Sequence, residues 1–392
     1  MKPFAFERWA LIAPNDDTGL GRMAQDLKAM IPIGRHLVTP SERMSHRPLV
    51  EPRETALDPA CPTAVLEAKL EGLQGVIFLE RPDWHPDLLP TLRRLKLHSV
   101  GVPMWEWFRG RSPRWQNCDF FACPNDICLR VVRSYGYRNS EYVPWLLDLG
   151  RFPARVVRGP ARHFIHNAGL IDPDDRKGTR DAIAAFARIP RPDLRLTVRV
   201  QKDGGVSCND SRVDLFTGNL PDPKALYAEG DAFIQPSKLE GIGFMVLEAV
   251  VTGLPVITPD QPPMNEWVRQ PELLARTRCL SYPAYSSAWI EHSHLRLPHI
   301  GDLARRIAWA ADNDLVSISK ANRAWAEEEF EPTLLRKTWE QVLDKLTQTS
   351  VPALATPSPE PPFPCQSVAG NIRSRITRAT GWQVPFLRTP FQ

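Results

Sequence analysis

Between Asp231 and Pro259 the chain reads DAFIQPSKLEGIGFMVLEAVVTGLPVITP, and this stretch holds residues whose types and spacing could do chemistry. Glu240 stands immediately before a turn of Gly241, Ile242, Gly243 and Phe244, and Glu248 follows on the helix expected behind it. A carboxylate beside an anion site is unfavourable unless something uses it. The usual use is to accept hydrogen bonds from sugar or ribose hydroxyls. A plainer reading has Glu240 capping the helix and Glu248 on its solvated face. Against it, Met245, Val246, Leu247, Ala249, Val250 and Val251 flank Glu248 in sequence, and a Glu in so apolar a helix needs a partner. Upstream, Arg176 and Lys177 directly precede Gly178 and a helix expected over 179–188, with Ile183, Ala184, Phe186 and Ala187 pointing inward. Two cations ahead of a helix N-terminus oppose its dipole, a small penalty that a bound phosphate would remove. A solvated Arg-Lys pair is the alternative.

The elements around these residues explain how they would be held. Ala232 to Gln235 is an apolar run of strand length, closed by Pro236 and Ser237 as a turn signal. Phe244 to Val251 reads as a buried helix with Gly253 as its stop, and Val256 to Thr258 resumes a strand. Strand, Gly-containing turn, helix, strand is the arrangement that sets free backbone N–H groups and the positive end of a helix dipole at the carboxyl edge of a parallel sheet. Such a place suits a phosphate.

Glu240 and Glu248, with seven residues between them in the setting PSKLEGIGFMVLEAVVTGLPVI, resemble the signature of retaining glycosyltransferases of family 4. The resemblance implies a GT-B fold: two Rossmann-like, doubly wound α/β domains facing a central cleft. It implies that Glu240 lies by the donor sugar, that Glu248 holds the ribose, and that Gly241, Ile242, Gly243 and Phe244 bind the donor diphosphate. Lys177 falls where the family carries a Lys before Gly or Asn that neutralises the diphosphate. The family's Arg slot after a Gly holds Leu170 here, following Gly169, with Arg176 in a position to compensate. The resemblance runs from about Trp9 to Leu346 and is densest from Gly169 to Ile257.

At 392 residues the chain exceeds the size at which a single core keeps growing, so two domains are expected. The boundaries read as an N-terminal acceptor-side domain over 1–155, a nucleotide-sugar-binding domain over 156–332, and a closing helix over 333–348 that crosses back to the first domain. A Pro-rich linker and basic tail, expected to be disordered, fill 349–392. The net charge of +4 is matched by four arginines beyond Pro361, a segment without lysine or acid. The folded body therefore gives no global argument for a polyanionic partner. Seven cysteines form an odd set, and the spacing of Cys118, Cys123 and Cys128 fits no usual zinc pattern. Reduced core thiols are expected, in a cytoplasmic protein with neither signal peptide nor membrane span.

In chain order, Trp9 to Ala13 is a first strand emptying into PNDDTGLGRMAQDLK, where Asp17 or Thr18 could cap a helix. Gly19 and Gly21 there are donor-side contacts in one reading and tight-turn residues in the other. His36 to Thr39, Gly75 to Leu79, Ser99 to Met104 and Phe120–Phe121 read as strands, Asp87 to Lys96 and Asp126 to Tyr135 as helices, and 40–62 as mostly loop. This alternation is that of a doubly wound domain. Between Arg93 and Trp115, basic residues interleave with Trp105, Trp107, Phe108 and Trp115, a mixture that suits sugar stacking, a lipid interface or single-stranded nucleic acid. The plainer reading is a core with a solvated rim. Where family members often carry a His by the donor sugar, this chain has Trp105 and Glu106, which makes Glu106 a candidate replacement. Further strands are expected over 163–166, 194–200 and 215–217, and helices over 223–228, 302–313, 316–329 and 334–347.

The resemblance implies glycosyl transfer from a nucleotide-diphosphate sugar, of UDP or GDP type, with retention of configuration. It calls for no metal, no other cofactor and no protein nucleophile. Lys177, Arg176 and the turn N–H groups would stabilise the departing diphosphate, and cleft closure would exclude water. The acceptor is open: a glycan, a lipid-linked acceptor or a modified DNA base. The basic tail could supply peripheral contact with a membrane or with nucleic acid. The rivals are a sugar epimerase or phosphorylase, and a catalytically silent module that binds nucleotide sugar or protein.

Overall fold

A computed structural model of the chain describes residues 4–40, 47–49, 51–220, 222–283 and 292–354. Most of the expected linker and tail, from 355 on, lies outside the described residues. The chain forms two units: one runs to Asp148 and resumes at Phe330, and the other is Leu149–Glu329.

The first unit is built on a parallel seven-stranded sheet of order β3-β2-β1-β4-β5-β6-β7. Its strands are β1 (Trp9–Pro14), β2 (Arg35–Thr39), β3 (Glu54–Ala56), β4 (Gly75–Glu80), β5 (His98–Pro103), β6 (Phe120–Cys123) and β7 (Ser140–Tyr142). Helices α1 (Gly19–Met30), α2 (Thr63–Leu70), α3 (Leu88–Arg94) and α4 (Asp126–Ser134) provide crossovers. β1 is buried at every position, as expected of a central strand covered on both faces. Thr18 caps α1, its hydroxyl accepting from Gly21 N–H. The last helix of the described chain, α10 (Pro332–Thr347), packs on this unit. Its Trp339 is fully buried and meets Trp145 edge-on at 5.9 Å, while Lys345 pairs with Glu141 at 2.9 Å.

The second unit holds a parallel six-stranded sheet of order β10-β9-β8-β11-β12-β13. Its strands are β8 (His163–Gly169), β9 (Arg195–Val200), β10 (Val213–Thr217), β11 (Ala232–Ile234), β12 (Val256–Pro259) and β13 (Leu274–Ala275). Around it lie α5 (Thr179–Phe186), α6 (Phe244–Thr252), α7 (Met264–Trp267), α8 (Ile300–Asp312) and α9 (Val316–Glu329). α6 is covered so completely that Val246 through Thr252 are all buried. It stops at Gly253, whose φ of +93° and whose carbonyl neighbour, the Arg155 oxygen 2.4 Å from any added Cβ, admit only glycine.

Both units are thus doubly wound α/β domains, the fold class expected. Among its described residues the stretch 40–62 is mostly loop, as expected, and contains the short β3, paired in parallel with β2. Two local expectations are corrected. The buried face of α5 is Ala182, Ala185 and Phe186, with Ala184 and Ala187 exposed, an inward stripe offset from the expected one because α5 packs against α8 as well as β8. Pro223–Tyr227 is a 3-10 turn rather than a helix. An antiparallel hairpin, β14 (Thr277–Pro283) with β15 (His294–Pro298), follows β13. Among the described residues no helix is long and apolar enough to cross a membrane.

Candidate functional site

In the second unit β8 and β11 are neighbours, with β9 and β10 to one side and β12 and β13 to the other. The winding therefore reverses between them, and the loops at their carboxyl ends diverge to opposite faces, leaving room for a ligand at this switch point. The loop after β8 carries Arg176 and Lys177, and the loop after β11 carries Glu240 and the Gly241–Phe244 turn. Sequence positions more than sixty apart are brought together here: Lys177 Nζ lies 2.7 and 2.9 Å from the two carboxylate oxygens of Glu240.

Gly178 explains how the two loops approach so closely. A Cβ at Gly178 would stand 2.3 Å from the Pro236 carbonyl oxygen, and its φ is +72°, so the contact needs glycine on two counts. Beneath it His166 is fully buried between the Ile234 carbonyl, 2.8 Å from Nδ1, and the Thr179 hydroxyl, 3.0 Å from Nε2. Burial pushes the pKa of this imidazole down to about 4, so it is held neutral.

Glu240 is 5% exposed. Ser237 donates to its Oε1 at 2.6 Å, and Gln235 in turn donates to Ser237 at 2.8 Å. Burial raises the pKa of Glu240, but the charges of Lys177 and Arg176 and the hydrogen bonds from Lys177 and Ser237 outweigh it, leaving the carboxyl below its ordinary range. The pair is an ionised, fixed couple. Arg176 stands beside it, its Nε 3.5 Å from Asp172.

The two helix starts differ. At α5 the Asp175 carboxylate accepts from the N–H groups of Thr179 and Arg180, both at 2.9 Å. That corrects the argument from the dipole: an internal carboxylate already caps this helix behind the two cations. At α6 the preceding residue is Gly243, in the left-handed region, and no side chain caps the helix. The N–H groups of Phe244 and Met245 find no acceptor among the described residues. α6 is therefore the helix start that can receive an anion. Trp267 holds the turn by donating to the Ile242 carbonyl at 2.6 Å.

Glu248 sits one turn further along α6, 7% exposed. The partner required by its apolar setting is Tyr227, whose hydroxyl donates to Oε2 at 2.7 Å. Neither plain reading holds: Glu240 does not cap α6 through a side chain, and Glu248 is not on a solvated face. Tyr227, Ser237, Asp175 and His166 were not foreseen. Ser237 could have been found from its place three residues before Glu240; the others are joined to the site only by the fold.

The remaining candidates belong to the first unit. Gly21 is a packing glycine, since a Cβ there would stand 2.3 Å from the Asp16 carbonyl oxygen, whereas a Cβ on Gly19 would meet nothing within 4 Å. Trp105 and Glu106 lie on a short 3-10 turn after β5 and are both buried. Phe108 and Trp115 are core, in a tilted ring contact with centroids 4.9 Å apart, and Arg93, Arg94 and Arg114 pair with Asp119, Glu67 and Asp83. The interleaved stretch is thus largely core with an ion-paired rim. Cys118, Cys123 and Cys128 are buried free thiols, with burial pushing the Cys118 pKa up to about 12.

Residues 162–291 match the family model described as glycosyl transferases group 1. No curated protein matches the chain by sequence. Among solved structures, Anabaena Alr3699/HepE, crystallised with UDP and glucose, aligns with a TM-score of 0.64 at 12% identity, covering 87% of this chain and 99% of that one. Sucrose-phosphate synthase (tll1590) from Thermosynechococcus elongatus aligns with a TM-score of 0.58 at 15% identity over the same shares. The lipopolysaccharide outer core galactosyltransferase WaaB, in its apo form, gives 0.57 at 14% identity, covering 86% and 99%. Residues 162–291 are thus similar to glycosyl transferases group 1, and the two doubly wound units share the GT-B fold of these solved structures.

Proposed function

We propose that this protein is a glycosyltransferase that moves a sugar from a nucleotide-diphosphate donor to an acceptor, with retention of anomeric configuration. The observation that carries the reading is the juxtaposition at the switch point of the second unit: an ionised Lys177–Glu240 couple beside an uncapped helix start. A diphosphate placed at the Gly241–Phe244 turn would receive the free N–H groups of Phe244 and Met245 and the positive end of α6. Lys177 and Arg176 would meet the charge that develops on it as the glycosidic bond breaks. In this reading the diphosphate is stabilised without a metal.

Glu240 cannot serve as a general acid near neutral pH, because its neighbours hold it ionised. It acts instead as a fixed acceptor for donor-sugar hydroxyls, with Lys177 shared between it and the diphosphate. Glu248 accepts from the ribose. HepE was crystallised with UDP-glucose, which makes a uridine diphosphate sugar the first donor to try. The transfer takes place in the cytoplasm in this reading.

The test is a thermal-shift panel of UDP-, GDP- and ADP-sugars and the free nucleotides on wild type and Glu248→Ala. One nucleotide sugar should raise the melting temperature of the wild type, and the variant should lose most of that rise. A folded wild type that none of them stabilises would overturn the donor-site reading in favour of a silent module.

A further inference from the structure

The outer strands of the two parallel sheets are finished differently. β3, β7 and β13 close their edges with three, three and two residues, and edges so short offer little to a further strand. β10 is longer. It is the outermost strand of the second unit's sheet, it runs for five residues as VDLFT, and its register with β9 is unbroken from Val213 to Thr217. It carries neither the proline nor the lysine that guards such an edge in other proteins. Asp214 to Thr217 are all exposed, Leu215 at 38% and Phe216 at 56%. The hydrogen bonds at its two ends fix which way each residue faces. Leu196 N–H donates to the Arg212 carbonyl at 2.9 Å, and Gly218 N–H to the Val200 carbonyl at 2.8 Å. Even-numbered residues therefore pair with β9, and Val213, Leu215 and Thr217 turn their backbone groups outward. Val213 N–H is taken by the Asp210 carbonyl at 3.0 Å, whereas the N–H groups of Leu215 and Thr217 meet no acceptor among the described residues.

We propose that β10 is a self-association edge: two copies of this chain pair antiparallel along it, about a twofold axis at Leu215, so that their second-unit sheets become continuous. The inference stands apart from the donor-site reading. A second copy is the partner because the strand is complementary to itself about its centre. The N–H and carbonyl of Leu215 meet those of Leu215 in the second copy, and each Thr217 N–H meets the Val213 carbonyl of the other. A pair centred on Val213 instead would meet an N–H already bonded to Asp210. On one face the two Leu215 side chains then lie directly opposite each other. On the other face Asp214, the one charge of the strand, falls opposite Phe216 of the second copy and not opposite its twin, which avoids the repulsion of like charges directly across a ladder. The two Phe216 rings lie on the diagonal, a spacing that aromatic side chains can span. The contact is short, so the association is reversible rather than obligate.

The experiment is sedimentation velocity of the full chain over a concentration series, on wild type, Leu215→Lys, Leu215→Glu and an equimolar mixture of the two variants. Wild type should pass from monomer to dimer as concentration rises. Each variant alone sets two like charges directly opposite each other and should weaken the dimer by about tenfold or more. Their mixture sets a lysine opposite a glutamate and should restore it, a recovery that a variant damaged in its fold would not give. Leu95→Lys, at a leucine 37% exposed in the first unit, removes a similar apolar surface and should leave the dimer unchanged. A wild type that stays monomeric, whether its edge is open or covered by another segment of the chain, would overturn the proposal. So would variants that dimerise like wild type, or a mixture no tighter than its components. None of these outcomes bears on nucleotide binding, so the donor-site reading is judged separately by its thermal-shift panel.

Discussion

The Lys177–Glu240 couple places opposite demands on its two members. Glu240 is 5% exposed while the Lys177 side chain keeps 18% of its surface. Removing the cation should therefore cost more than removing the anion. Lys177→Met takes from a buried carboxylate its ion-pair partner while the Arg176 charge and the Ser237 hydrogen bond remain, a loss of about 3 kcal/mol by analogy with other broken buried pairs. Glu240→Gln keeps the Ser237 contact and leaves an ammonium that can reach water, a loss of about 1 kcal/mol. Urea unfolding of the two variants and of Lys177→Met/Glu240→Gln measures this, and the double variant should be less destabilised than the sum. Protonation sharpens the test. In wild type the folded pKa of Glu240 is lowered, so its share of stability is full above the ordinary carboxylate range and is lost as pH falls through the folded value. In Lys177→Met burial dominates and the carboxyl rises, so the penalty shrinks on acidification. Equal losses for the two single variants at pH 7 would sink this account.

The elements that carry the site are locked by contacts between backbones. Gly178 and Gly205 both have positive φ, at +72° and +63°, yet a Cβ on Gly205 would meet nothing within 4 Å, whereas one on Gly178 would meet the Pro236 carbonyl. Gly205→Ala should cost about 1 kcal/mol, the left-handed penalty alone. Gly178→Ala should cost about 2 kcal/mol more, because the β8–α5 and β11–α6 loops must part, and it should weaken nucleotide binding where Gly205→Ala does not. Thermal melts and titration of the two variants check this; equal costs would show that the loops are not interlocked. The same comparison marks what could be read from sequence. α6 is legible because an apolar run interrupted by Glu248 alone, Phe244 to Val251, lies between two glycines, and β1, β4 and β5 are legible because each carries a buried apolar stretch, Ala10–Ala13, Val76–Leu79 and Val100–Val102. β3 is not, being three residues at a sheet edge with two of them exposed. Nor is the Asp175 cap of α5, since the turn that aims it depends on a left-handed φ of +45° at a non-glycine. Tyr227 reaches Glu248 across a stretch containing β11 and the donor turn, and no local signal marks it.

At the scale of the whole molecule, each unit contains a fully buried imidazole whose pKa is pushed far down. His166 supports the donor loops in the second unit. In the first, His36 is fully buried with Nε2 3.1 Å from the Ala13 carbonyl and Nδ1 3.4 Å from Glu54, a carboxylate that Lys28 also reaches at 2.6 Å. Burial pushes the pKa of both down to about 4, and for His36 the Lys28 charge adds to the effect. An unfolded histidine titrates near 6.5, so between pH 6.5 and 4 the unfolded chain binds protons that the folded chain refuses. Stability must then be full above pH 6.5 and fall as pH drops toward 4, by about 3 kcal/mol per imidazole. The buried carboxylates Glu54 and Glu240, both with lowered pKa values, add their own loss only below the ordinary carboxylate range. The urea midpoint should therefore hold steady from pH 8 to 7 and decline by pH 5, before carboxylates titrate. His166→Gln should flatten that decline for the second unit while leaving the first unit's intact, and His36→Gln should do the reverse, resolvable by fluorescence of tryptophans buried in each unit, Trp145 and Trp267. A midpoint that stays constant from pH 8 to 5 would mean that these imidazoles take up protons without opening the fold. The neutral His166 between Ile234 and Thr179 could not then be what keeps the two donor loops in register.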